Sequence, residues 1–230
     1  KHYEEAANLL KQSKLWSYLS SNFLAWASLE QAEDLSRKES SMESIEAFRK
    51  ASPLFEEAKG TLRVQSSRIE NEEERDSIER LIKASDTRQT YCLGRIAVEE
   101  AKILDSQGEH VASSERYGSA AETFNEILKA GSEQSRRELK PLIYLCQAWQ
   151  KMLMAEAHAS SGMYGEAAEL FKEAKEHSLD QRTSLLALAN SSFCKALEAG
   201  TEFEITREQT EYSRDKTVSY THLRAHETGR

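Results

Sequence analysis

The sequence predicts an all-α fold of antiparallel helical hairpins stacked as a solenoid, with a closed helical bundle as the alternative. One reason is composition: 2 prolines and 9 glycines in 230 residues, 30% of them charged and 39% hydrophobic, leave little turn chemistry for sheets. Another is a recurring eight-residue face, a leading side chain followed at +3 and +4 by small or apolar residues and at +7 by Phe or Leu. Its copies are Tyr3, Ala6, Ala7, Leu10; Ser41, Ser44, Ile45, Phe48; Tyr117, Ala120, Ala121, Phe124; and Tyr164, Ala167, Ala168, Phe171. A helical face that returns along the chain is the signature of an array, in which each unit buries its apolar stripe against its neighbours.

The elements follow in order. Residues 2 to 13 carry the first copy, and 15 to 38 form a long amphipathic segment with Leu15, Leu19, Phe23, Trp26, Leu29 and Leu35 at helical spacing. Ser40 and Glu43 match a capping box for the next helix, and Ser52 before Pro53 predicts a break there, because proline is tolerated at a helix start and disfavoured inside one. Helix resumes from Pro53 to about Glu70. Asn71 with Glu74 offers a further cap, and residues 75 to 106 read as one very long helix or two joined ones. Ile78, Leu81 and Ile82 form a degenerate fifth copy of the face, giving spacings of 37, 38, 39 and 47 residues between copies.

Gly108 and Gly131 bracket a helix over 109–130, and Lys140-Pro141 interrupts or begins the helix that runs through Trp149 to Ser161. Gly162 turns the chain into a helix over 163–177, and Asp180 caps another from about 182 to 204. The units Arg116 to Ser161 and Met163 to Phe203 match each other best.

Both ends read as incomplete. The chain opens on Lys1 and enters its first motif copy at once, without a pairing helix before it. Val218 to Thr228 reads VSYTHLRAHET, which resembles a translation of the transposase mosaic end and adapter used to prepare sequencing libraries. We therefore expect a repeat region over 1–217 and a non-native tail over 218–230, and set that tail aside from fold reasoning. Doing so discounts His222 and His226, an i, i+4 pair beside Glu227 that otherwise looks like a metal site on a helix. It also leaves one more net negative charge than the whole chain's −8, since Arg224 and Arg230 go with only Glu227.

The residues around the glycine turns resemble the tetratricopeptide repeat, a helical hairpin with a Gly-x-Tyr-x-x-Ala-x-x-x-Phe-x-x-Ala pattern across its turn and second helix. Gly162, Tyr164, Ala167, Phe171 and Ala174 fit it, with Ala155 at the small position of the preceding helix. Gly108, His110, Ser113, Tyr117 and Ala120 fit in part, with Ala101 before them, and Ser41, Ser44, Phe48, Ala51 and Ala32 fit without the glycine. This alignment puts Tyr117 about two helical turns later than the face alignment does, and both registers stay open on the sequence. The resemblance implies partners along the face of the first helix of each hairpin. Arg95, Val98 and Lys102, and Trp149, Met152 and Glu156, are the residues it places there; the alternative is that the apolar ones are core and the charges solvated. The family's basic clamp for a peptide carboxylate has no matching set in this chain.

Function classes narrow by exclusion. A net charge of −8 without a dense Lys/Arg cluster argues against nucleic acid and anionic membrane, and no stretch is long and apolar enough to span a bilayer. Cys92, Cys146 and Cys194 are too few and too scattered for a disulfide framework, and none has the CxxC partner of a zinc or redox site, so packing in a reducing, cytoplasmic compartment is expected. His2, His110, His158 and His177 are scattered, and no GxSxG, HExxH or phosphate-binding glycine loop occurs. No catalytic, metal or cofactor site is expected. The leading expectation is a non-catalytic scaffold or adaptor that binds a protein or peptide segment. The alternatives are a regulatory or sensor domain of a larger signalling or transcriptional protein, and a helical enzyme or small-molecule-binding bundle.

Overall fold

The structure, a computed structural model, describes the backbone of residues 2–13, 15–130 and 133–227, and side chains except those of 130–135 and 215 onward. Gly131, residues 228–230 and all side chains of the expected 218–230 tail, those of His222 and His226 among them, lie outside the described residues. The described chain is helical throughout: α1 His2–Gln12, a short 3-10 turn Ser17–Leu19, α2 Ser20–Arg37, α3 Ser41–Ser66, α4 Glu72–Ser106, α5 His110–Ala130, α6 Glu133–Ser160, α7 Tyr164–His177 and α8 Gln181–Glu227. Each helix packs on those before and after it; α2 and α4 also touch, and no extensive contact closes α1 onto α8 among the described residues. A closed bundle needs that closure, whereas a serial stack does not.

The cores follow the same order. Ala25, Leu29, Phe48 and Phe55 pack with Cys92 between α2, α3 and α4. Val98, Tyr117, Phe124, Ile143 and Cys146 fill the space between α4, α5 and α6. Met152, Phe171, Ala187 and Cys194 do so between α6, α7 and α8. Tyr91 borders the first and second of these cores, and Trp149 the second and third.

Three turns repeat one geometry. Glu39, Gly108 and Gly162 have φ of 60°, 79° and 77°, and after each the next amide donates five residues back: Ser40 to Leu35, Glu109 to Leu104 and Met163 to His158. This is the Schellman closure, which needs a left-handed residue and therefore favours glycine. Superposing the turns makes Ala32, Ala101 and Ala155 equivalent, then Ser44, Ser113 and Ala167, then Phe48, Tyr117 and Phe171, then Ala51, Ala120 and Ala174; all are buried. The Ser44 hydroxyl donates to the Ala32 carbonyl at 3.0 Å and that of Ser113 to Ala101 at 2.8 Å, so the small residues let paired helices approach. Tyr117 thus stands where Phe48 and Phe171 stand, about two helical turns later than the face alignment has it.

Several local expectations are corrected. α3 runs unbroken through Pro53, and α6 through Pro141, which neither starts nor interrupts it. Both prolines are exposed, so the carbonyls they orphan face water. In α3 the buried stripe Phe48, Ala51, Phe55, Ala58 and Leu62 spans the proline. At ~1.5–3 kcal/mol per large side chain that burial outweighs the roughly 3 kcal/mol an interior proline costs. Ser40 precedes α3 without a side-chain cap bond, whereas Asn71 Oδ1 accepts from the Glu74 amide at 3.0 Å and Asp180 Oδ1 from that of Thr183 at 2.8 Å. Residues 15 and 16 form a turn that leads into the 3-10 turn Ser17–Leu19 ahead of α2, and Leu15 is exposed. Ile78 and Ile82 are buried against Leu62, but on α4, a first helix, so they are not a copy of the second-helix face. α8 continues past the expected end near 204, because no glycine or proline follows Gly200 in it to stop the helix.

Candidate functional site

The six residues expected to line a partner face sit at equivalent positions of α4 and α6, Arg95 with Trp149, Val98 with Met152 and Lys102 with Glu156; Trp26, Leu29 and Glu33 of α2 are their counterparts one hairpin earlier. Their environments differ. Val98 and Met152 are 4% and 1% exposed and belong to the cores on either side. Trp149 is half-buried and stacks on Tyr117, with ring centroids 6.3 Å apart. Leu145, one turn before Trp149, is 41% exposed.

Arg95 and Lys102 belong to a network that joins α4 to the α2–α3 turn. Arg95 makes a 2.9 Å ion pair with Glu33, donates to the Ser36 hydroxyl at 2.6 Å, and lies over the Phe48 ring at 5.3 Å. The Glu33 carboxylate also accepts from the Tyr91 hydroxyl at 2.8 Å. Glu99 is fully buried and accepts from Ser36 at 2.6 Å, Ser41 at 2.7 Å and Lys102 at 2.8 Å. Burial pushes its carboxyl up, yet these hydrogen bonds from Lys102, Ser36 and Ser41 outweigh it and hold Glu99 below its ordinary range. Burial raises the Tyr91 hydroxyl to about 12. Both shifts keep these groups in one protonation state near neutrality, as suits a structural clamp.

Glu156 occupies a second polar cluster. His110, at the start of α5, puts Nδ1 3.6 Å from Asp105 Oδ1 at the end of α4 and 3.6 Å from Glu156 Oε2 on α6. The turn at Gly108 brings Asp105 and His110 together, and the packing of α6 adds Glu156. Burial, foremost, raises the Glu156 carboxyl, with Asp105 adding to the rise and His110 opposing it. Asp105 and His110 were not singled out as a pair from the sequence; their spacing across a glycine turn was the available signal.

The thiols offer no nucleophile. Cys92 and Cys146 stand at equivalent positions of α4 and α6, both fully buried, and burial lifts each to about 12; Cys194 is raised for the same reason. A largely apolar cleft of about 320 Å³ opens between α6, α7 and α8, lined by Tyr164, Phe171, Phe193, Cys194 and Leu197 among others.

Compared with protein families, with curated proteins and with solved structures, the chain gives no match. No helix among the described residues is long and apolar enough to cross a membrane.

Proposed function

We propose that this protein is a non-catalytic scaffold, a tetratricopeptide-like array of irregular units whose first-helix face holds a segment of a partner protein. The observation that carries this reading is the repeated hairpin closure at Glu39, Gly108 and Gly162, which sets equivalent residues of α2, α4 and α6 in a row. A row of equivalent helices presents one extended surface, and extended surfaces suit extended ligands. The raised thiols and the cation-paired carboxylates around Glu99 favour a structural role for the polar residues over catalysis.

On this reading Lys102 of α4 and Leu145 and Trp149 of α6 contribute accessible chemistry, a cation and an apolar patch on successive first helices, while Arg95 and Glu99 keep the face rigid. The test is to pan a displayed random-peptide library against the full chain and measure the selected peptides by calorimetry. Binding at least tenfold weaker to both L145D and K102E is expected. No selected peptide, or affinities indifferent to both changes, would sink the scaffold reading.

A further inference from the structure

The polar cluster at the α4–α5 turn brings two carboxylates, Asp105 and Glu156, onto one imidazole, His110, the one such three-residue grouping among the described residues. Several carboxylates at helix interfaces meet a cation from the chain itself: Glu33 meets Arg95, Glu99 meets Lys102, Glu100 meets Arg49, and Asp86 meets Lys59, while Glu166 meets one imidazole, that of His158. Asp105 and Glu156 face each other across His110, and among the described residues neither has a lysine or arginine partner. The contrast is sharpest one hairpin earlier. There the equivalents of Asp105, His110 and Glu156 are Ser36, Ser41 and Lys102, which enclose the Glu99 carboxylate with a built-in ammonium. In the later hairpin the lysine has become glutamate and the serines aspartate and histidine. Positive charge supplied by the chain has been replaced by groups that ligate a metal.

The distances fit such an ion better than they fit hydrogen bonds. His110 Nδ1 is buried and has no hydrogen-bond partner, and 3.6 Å to either carboxylate is too long for one. Ligand atoms about 2.0–2.2 Å from a tetrahedral zinc ion stand roughly 3.3–3.6 Å apart. One atom from each of the three side chains lies within 4.8 Å of the other two, so small rotations bring all three to that spacing.

We propose that Asp105, His110 and Glu156 bind a divalent transition-metal ion of the zinc class, which clamps the α4–α5 turn to α6. One imidazole nitrogen and two carboxylates favour zinc over magnesium or calcium, which prefer all-oxygen shells, and leave a coordination position for water or a partner's side chain. The burial that raises the Glu156 carboxyl is offset when the cation arrives. This inference does not rest on the scaffold reading, since the clamp acts within the stack.

The test is calorimetric titration of Zn²⁺ alone into the chelator-treated full chain, alongside H110A, E156Q and the double variant H222A/H226A, with helical content followed by circular dichroism. One strong equivalent is expected, weakened at least tenfold by H110A and by E156Q and retained in H222A/H226A. If H110A loses its helical signal, E156Q, which keeps the side-chain shape, decides alone. Three results overturn the proposal: no binding by the unaltered chain, binding indifferent to E156Q, or binding lost only in H222A/H226A.

Discussion

The Ser36 hydroxyl donates to the Glu99 carboxylate at 2.6 Å and accepts from Arg95 at the same distance, so one oxygen relays charge between two groups of α4. Glu99 is fully buried, and removing a buried, hydrogen-bonded charge strands its partners. E99A is expected to lose about 3 kcal/mol in urea denaturation, the low end for a broken buried pair, because Arg95 keeps Glu33 and Lys102 reaches solvent. Because the folded carboxyl titrates below its ordinary value of 4.5, its contribution is present above that pH and lost as pH falls through the folded value. Stability measured from neutral pH down through that range falls less steeply in E99Q than in the parent; equal slopes refute the assignment.

Gly94 of α4 faces Phe124 of α5, and a methyl group built on Gly94 meets the ring at 2.5 Å. Glycine to alanine inside a helix ordinarily gains about 1 kcal/mol. Here the ring is fully buried and has no room to retreat, so overpacking wins and G94A is expected to destabilise by ~1–3 kcal/mol. A raised melting temperature for G94A contradicts that packing.

Glu39 holds φ of 60° where Gly108 and Gly162 hold 79° and 77°. A side chain in the left-handed region costs about 1 kcal/mol, which glycine avoids. E39G is therefore expected to stabilise the chain by about 0.5–1 kcal/mol, and G108A to destabilise it by about as much. Thermal melts of the two variants should move in opposite directions, and movement in the same direction rules out a shared turn.

Cys92, Cys146 and Cys194 are buried thiols whose ionisation burial suppresses, the first two to about 12. A thiol-disulfide reagent at pH 8 should label neither Cys92 nor Cys146 in the native chain, Cys194 slowly through the cleft it lines, and all three in denaturant. Rapid native labelling of Cys92 or Cys146 means that its helix interface opens.

Burial also lifts the Tyr91 hydroxyl to about 12. Its neutral form is favoured by folding, so this contribution is complete below the ordinary value of 10 and disappears as pH rises towards 12. Ultraviolet titration of Y91F beside the parent should remove one phenol that ionises late. If the missing phenol is one that ionises near 10, the burial of Tyr91 is misassigned.

Much of the fold was legible residue by residue. Asn71 and Asp180 announce their helices because a side-chain acceptor three residues ahead of a free amide is a local arrangement, and Gly108 and Gly162 announce their turns because few residues adopt positive φ. Ser40 shows the limit of such reading, since its spacing to Glu43 suits a capping box that the turn at Glu39 does not form. Of the face residues, Glu156 was named from the sequence, but Asp105 and His110 were not drawn together with it. Their meeting depends on how α6 lies against the α4–α5 turn, across about fifty residues of chain.

What the sequence by itself determined is the helical chain, its glycine-marked turns and the small and aromatic residues that recur through its hairpins. These follow from periodicity and backbone sterics, which act over a few residues. Tertiary structure alone decided that α3 and α6 continue through Pro53 and Pro141, that Tyr117 stands with Phe48 and Phe171, and that Glu99 and Glu156 meet such different partners. Each of those outcomes is a balance between a local preference of a few kcal/mol and contacts made with another helix, and only the packed stack supplies the second half of that balance.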